Sequence, residues 1–289
     1  MNAMGPSAHI MPDGRRLHLQ HGPIDLIIGA EGQRQRAFEA ATARFSSILD
    51  ELVAELSDLR VGMHPTMAEP NGPVAQRMHR AALGVPIEVF FTRMAAVAGA
   101  VADEVMAAMV SQAELTRAFV NNGGDIALHL ADDAQFRLMM SDHVGRQLGH
   151  ILVRAGEGIG GIATSGWHGR SHSLGIADSV TVLAPSAAQA DVAATLIANA
   201  VDLPGHRSIR RRPANSFADD TDLDAREVVV GCGPLADDEC EAALRAGRVT
   251  AHSFTEAGLI TDAALFLQSH ADILEGPRLV PVKKELTFA

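Results

Sequence analysis

Three groups of residues in this chain carry functional groups from which a binding or catalytic site could be built. The first is Asn121-Asn122-Gly123-Gly124-Asp125. Adjacent glycines admit positive φ and let a ligand approach the backbone closely, and successive N–H groups in such a turn can cradle an anion. The same string is a favoured tight hairpin turn, and taken alone that plainer reading weighs more. The second is Ala163-Thr164-Ser165-Gly166 followed by Trp167 and Gly169-Arg170-Ser171-His172-Ser173. It offers hydroxyls, a guanidinium and an imidazole in one short stretch. The planar fork of arginine suits phosphate because it binds two oxygens at once; the alternative is a polar surface loop anchored by Trp167. No Gly-x-Ser-x-Gly elbow is present, so a serine hydrolase is not indicated. The third is Asp191 with Thr195, which at i, i+4 share one face of a helix. A carboxylate and a hydroxyl are hard ligands suited to magnesium, with phosphate oxygens completing the shell. For the pair alone, a solvated Asp191 and a Thr195 bonded to its own backbone is the heavier reading.

The elements that position these groups read as follows. Leu17–Gln20 and Ile24–Ile28 are two short strands joined at His21-Gly22-Pro23, and Gly29–Gly32 breaks the pattern. Gln33–Arg60 is a long amphipathic helix with Phe38, Ala41, Phe45, Ile48, Leu52 and Leu56 on one face. Proline and glycine between residues 61 and 75 mark a loop, a hinge or flap candidate. Ala95–Val110 is apolar nearly all round, as a buried helix is. Strands follow at Ala118–Val120, Ile126–Leu130, Phe136–Met140 and His150–Arg154, then a glycine-dense turn at Gly156–Gly161 and a strand at Ser179–Leu183. Ser186 and Gln189 form a capping-box pattern at the head of a helix reaching about Val201. Asp202–Asp224 reads as loop, Glu227–Gly231 as strand, Asp237–Ala246 and Glu256–Gln268 as helices, and Leu279–Val282 as a last strand. Mixed runs of strand and helix, rather than strict alternation, predict an α+β fold.

Composition narrows the class. With 289 residues and 47% hydrophobic content the chain can bury a sizeable core. Apolar runs such as Ala95–Ala102 and Val192–Ile197 fall short of the ~20 residues of a membrane span. The net charge of −11 argues against a broad nucleic-acid footprint. The basic run Arg210-Arg211-Arg212 reads as a solvated loop, with a phosphate clamp as the functional alternative. Two cysteines, Cys232 and Cys240, make neither a disulfide framework nor a common zinc pattern. No secretory signal is read at residues 1–14. A cytoplasmic protein without membrane or nucleic-acid partners is expected, and the apolar composition is compatible with a homodimer.

Taken in order, the motifs Asn122-Gly123-Gly124-Asp125-Ile126, Ala163-Thr164-Ser165-Gly166, Ser179-Val180-Thr181-Val182 and Ala190-Asp191 with Ala194-Thr195 resemble the ApbE-like superfamily, over roughly residues 95–201. Its best-known members are FAD:protein FMN transferases, which split FAD at the pyrophosphate, release AMP and attach FMN to a threonine of a partner. His21-Gly22-Pro23-Ile24-Asp25, Met94–Gly99 and Gly166–Ala177 are similar to a compact, uncharacterised branch. The resemblance implies one domain of T-fold-like α+β architecture, with mixed or antiparallel sheets and packed helices, binding magnesium and FAD or another flavin nucleotide. By matching position it implies Asp191, Thr195 and the Ala95 carbonyl as magnesium ligands. It implies Asn122, Gly123, Gly124, Asp125, Asp103, Thr164, Ser165 and Gly166 around the nucleotide.

The chain also departs from the pattern. Ala98 stands where the family has a lysine and Ala100 where it has a tyrosine; Arg170 is the candidate substitute for the lost charge. The family's His-x-Ile-x-Asp-Pro segment is shortened, with His172 as its candidate histidine. Three functions follow as expectations: magnesium-dependent chemistry at a flavin pyrophosphate, ligand binding without cleavage, or an enzyme on an unidentified small acidic substrate.

Overall fold

The computed structural model describes residues 5–86, 89–217, 221–274 and 278–281. Its elements are strands β1 (Ser7–Ile10), β2 (Arg16–His21) and β3 (Ile24–Gly32); helices α1 (Arg34–Ala54), α2 (Leu56–Leu59) and α3 (Pro73–Leu83); a 3-10 turn at Arg93–Ala96 leading into α4 (Val97–Gln112); strands β4 (Leu115–Asn122), β5 (Asp125–Leu130), β6 (Gln135–Ser141), β7 (Gln147–Arg154), β8 (Gly161–Ser165) and β9 (Ser179–Ala184); α5 (Ala187–Ala200); β10 (Ile209–Pro213) and β11 (Glu227–Cys232); α6 (Asp237–Glu256); and β12 (Asp262–Leu267), β13 (His270–Ile273) and β14 (Leu279–Pro281). The α+β expectation holds: every strand pair is antiparallel and the helices pack together.

Nine strands form one sheet in the order β1-β2-β3-β4-β5-β8-β9-β12-β13, and β14-β7-β6 form a second. Alternation along the central strands shows what covers each face. Ala127, Ala163, Val182, Ala263 and Leu265 join the core beneath the helices. Their neighbours Leu128, Ile162, Leu183, Ala264 and Phe266 join a separate core with Met140, Ile151, Val153 and Leu279 of the small sheet. The large sheet is therefore sandwiched, and β9 and β12 are buried at every position. Each fully buried Val, Leu or Ile there contributes about 1.5–3 kcal/mol of transfer free energy.

The helical layer determines the site. Residues 93–112 are long and apolar enough to cross a membrane by length and composition, which the shorter run considered from sequence did not capture. Here that stretch packs against α1, α3 and α5 and against β4 and β5. α4 and α5 approach closely: a Cβ on Gly99 would lie 2.2 Å from the Ala187 carbonyl oxygen. Ser186 caps α5, its Oγ accepting from the Gln189 N–H at 3.2 Å. The Gln189 side chain returns to the Ser186 hydroxyl rather than to its backbone.

Several sequence expectations are corrected. The helix read at Glu256–Gln268 is β12, and α6 runs on to Glu256 instead of stopping near Ala246. The long first helix breaks at Glu55, whose carboxylate accepts the Asn71 and Gly72 N–H groups at 2.7 and 2.6 Å. The loop read at 61–75 is fastened by these bonds and by a Gly62–Thr92 bridge, and Pro73 is the first residue of α3. β8 occupies part of the polar stretch after Ala163, and β10 lies inside the presumed loop 202–224. Of the last strand, Leu279–Pro281 forms as read and Val282 lies outside the described residues.

Candidate functional site

A cavity of about 680 Å³ opens between the helical layer and the ends of β4, β5 and β8. One wall is apolar, from Leu49, Leu52, Val53 and Leu56 through Met94, Val97 and Val101. The other carries Asn122, Gly123, Asp125, Thr164, Ser165, Gly166, Arg170, Asp191 and Thr195, so residues from all three sequence motifs meet in one space. The hairpin-turn reading of Gly123-Gly124 holds. The pair is a two-residue hairpin turn with φ of +70° and +117°, closed by Gly124 N–H donating to Asn121 Oδ1 at 2.9 Å. Gly123 also faces the cavity, where a Cβ would meet the Arg170 guanidinium at 2.1 Å.

Two carboxylates converge here. Asp125 opens β5 and accepts from the Thr164 backbone N–H. Burial pushes its carboxyl up to about 7, and the charge of Arg170 opposes that rise. Asp191 Oδ2 accepts from Gly99 N–H at 2.9 Å, and the Ala98 N–H also donates to this carboxylate. Burial first, then the charge of Asp125, hold the Asp191 carboxyl well above the ordinary range. Neither side chain is among the fully exposed or fully enclosed residues; their displaced carboxyls follow from lying deep in a concave wall, where few waters reach them. Among the described residues no cluster of three or more His, Cys, Asp or Glu side chains forms a ready-made metal centre. The set fits magnesium nonetheless. That ion typically takes one or two protein carboxylates and fills its shell with water and phosphate oxygens, and a divalent cation would relieve the repulsion between Asp125 and Asp191.

Four expected residues do not line the main cavity. Asp103 does not line the cavity: its two oxygens accept from Ala187 N–H and Ala188 N–H at 3.0 and 2.9 Å, which caps α5 from α4. Ala95 sits in the 3-10 turn, packed against the helical core, while Met94 and Val97 on either side face the cavity. His172 is exposed, its ring 5.3 Å from that of Phe217, because the chain beyond Ser171 turns outward. Gly124 borders adjoining depressions rather than the main cavity. Ala98, in the position of the absent lysine, lines the cavity with its carbonyl accepting from Asn122 Nδ2 at 3.1 Å.

A second chamber of about 520 Å³ lies beyond Gly123, Thr164 and Arg170. Asp178 there accepts from Trp167 Nε1 at 3.2 Å and from His168 Nε2 at 3.0 Å, and His143 stacks on His168 at 3.5 Å. Burial, then His143, lowers the His168 pKa, and Asp178 opposes that fall. Among the described residues, Ser179 Oγ is buried without a partner at this chamber's wall. Sequence reading missed His168 and Asp178; their signal was a histidine ten residues ahead of an aspartate that opens a buried strand.

These features define an α+β protein with antiparallel sheets and an acidic, half-apolar cavity under its helices. The chain belongs to the family whose model is described as AbpE bacteria, matched over residues 8–274. It is similar to a UPF0280 protein of Methanopyrus kandleri, 34% identical over 211 residues that cover 71% of this chain and 82% of the relative. A UPF0280 protein of Methanothrix thermoacetophila is 30% identical over 184 residues, 63% of this chain and 75% of the relative. One from Methanococcus maripaludis is 39% identical over 111 residues, covering 37% and 44%.

Proposed function

We propose that this chain is a cytoplasmic, magnesium-dependent protein that binds a flavin or related nucleotide on a T-fold-like, ApbE-like architecture. The observation that carries this reading is the convergence of Asp125 and Asp191, both with raised carboxyls, on a cavity whose opposite wall is apolar. A volume of about 680 Å³ lies within the ~300–1,000 Å³ of small-molecule sites. A planar ring suits the wall of Leu49, Leu52 and Val97. Phosphates suit the opposite side, where Arg170 supplies a fork and Gly123 allows close backbone approach.

Asp191, Asp125 and Thr195 would hold the magnesium; Ala95 does not line the cavity. Bound there, the ion would neutralise charge on phosphate oxygens. Asp191 is held in place by the Ala98 and Gly99 N–H groups of α4 while it lines the cavity. Arg170 faces Asp125 and would balance negative charge on the opposite side.

A second reading, ligand binding without cleavage, is favoured by Ala98 in place of a cavity lysine and by His172 lying outside the cavity. One experiment separates the two. The purified chain is incubated with FAD and magnesium, and FAD, FMN and AMP are followed by chromatography, with Asp191→Ala as control. FMN and AMP from the wild type alone support pyrophosphate chemistry. FAD that binds and returns intact supports the second reading. FAD that neither binds nor breaks removes the flavin assignment.

A further inference from the structure

We propose that a basic and aromatic track, Arg170–His172–Phe217–Arg212–Arg210, runs from the cavity mouth across the surface and holds an anionic extension of the ligand. Arg170 belongs to the cavity wall, and its side chain is exposed at the rim. Two residues on, the His172 ring lies 5.3 Å from that of Phe217, and the Arg212 guanidinium lies over the same phenyl at 4.8 Å. Phe217 is 46% exposed, so the face of this cluster is open to a ligand. The ring is thus bracketed by two groups able to carry positive charge.

Strand alternation sorts the arginine run that the sequence singled out. Arg211 points inward, where it is paired with Asp202 and donates to the Leu174 carbonyl at 2.6 Å. Arg210 and Arg212 point outward, and among the described residues neither has a carboxylate within ion-pair distance. The track is anchored as well as charged. Val229 N–H of β11 donates to the Ser173 carbonyl at 2.9 Å, so the β10–β11 hairpin is tied to the segment that carries His172.

In a chain of net charge −11, an outward basic line concentrates anions locally against the overall field. Its narrowness argues against a nucleic-acid footprint, and the short chain from Arg170 and Ser171 of the cavity to His172 points to an anion attached to the cavity's occupant. The nucleotide reading is needed only for the head of that ligand. Phosphates and carboxylates share the required chemistry, since arginine binds both through paired N–H donors.

The test uses the full chain in EDTA at low ionic strength, titrated calorimetrically with inorganic triphosphate and, separately, with hexaglutamate. We expect at least one to bind, and which one does identifies the anion. Arg210→Ala with Arg212→Ala should weaken that binding at least tenfold, Phe217→Ala several-fold, and Arg245→Ala on α6 not at all. Unchanged melting of the variants confirms that they fold. FAD that fails to bind while triphosphate still binds at the track refutes the flavin reading and leaves this one standing. No binding of either anion, or equal binding by the wild type and the double variant, overturns the proposal.

Discussion

Asp125→Asn should stabilise the empty protein at neutral pH, the reverse of what most substitutions at a site opening do. The wild-type carboxyl is raised from 3.8 to about 7. Between those values the unfolded chain has released a proton that the native state keeps, so unfolding stability falls as pH rises through this window. Below about 4 both states are protonated and nothing is lost. About three pKa units at about 1.4 kcal/mol each give a native-state cost of about 4 kcal/mol above pH 7. Asparagine keeps an oxygen for the Thr164 N–H, carries no charge and relieves Asp191 of its nearest repulsion. We expect urea denaturation in EDTA to show the variant about 2–4 kcal/mol more stable at pH 8 and equal to wild type at pH 4. Parallel stability curves for the two proteins across that range would refute the reasoning, since Asp125 would then ionise in the fold as easily as outside it.

Magnesium should substitute for that mutation: at a hundred times its dissociation constant it adds about 2.7 kcal/mol to wild-type stability at pH 8, while Asp191→Asn, read by the same urea titration, should gain less than half of this. Asp103→Ala should cost about 1–2 kcal/mol through loss of the α5 cap and leave the FAD affinity, measured by flavin fluorescence, within about twofold. Gly123→Ala strains a φ of +70° and displaces Arg170; melting should fall modestly while nucleotide affinity falls by an order of magnitude or more. Gly99→Ala, whose Cβ meets the Ala187 backbone, should cost roughly 1–3 kcal/mol or more by overpacking, seen as a lower urea midpoint.

The sequence disclosed most where one face of an element differs from the other. The apolar stripe Phe38, Phe45, Ile48 and Leu52 of α1 and the Ser186 cap of α5 were both legible. β12 was not, because Ala263–Leu267 is buried on both faces and has no polar alternation to mark it as a strand; alanine and leucine then read as helix. In the site, the Gly123-Gly124 turn and the Asp191–Thr195 face were visible from local spacing. The role of Asp103 was not, since its bonds to α5 span 84 and 85 residues of chain. His172 was misplaced because nearness in sequence to Thr164 and Ser165 says nothing of the direction taken after β8 ends.

The acid at the centre of the site owes its position to an exchange between two helices. The first N–H groups of a helix lack partners within it. Those of α4, at Ala98 and Gly99, are taken by Asp191 of α5. Those of α5, at Ala187 and Ala188, are taken by Asp103 of α4. Each helix caps the other, and the exchange requires the backbones to meet at Gly99, where no side chain fits. The same contacts bring the positive end of α4 to Asp191, which lowers the cost of its charge without bringing its carboxyl back to the ordinary range. Asp103 gives one acceptor site on each oxygen to the cap and does not line the cavity. Asp191 likewise accepts two N–H groups, from Ala98 and Gly99, but lines the cavity, which Asp103 does not. Position rather than bonding thus decides why, of two aspartates in matching structural roles, only Asp191 is placed to act on what the cavity holds.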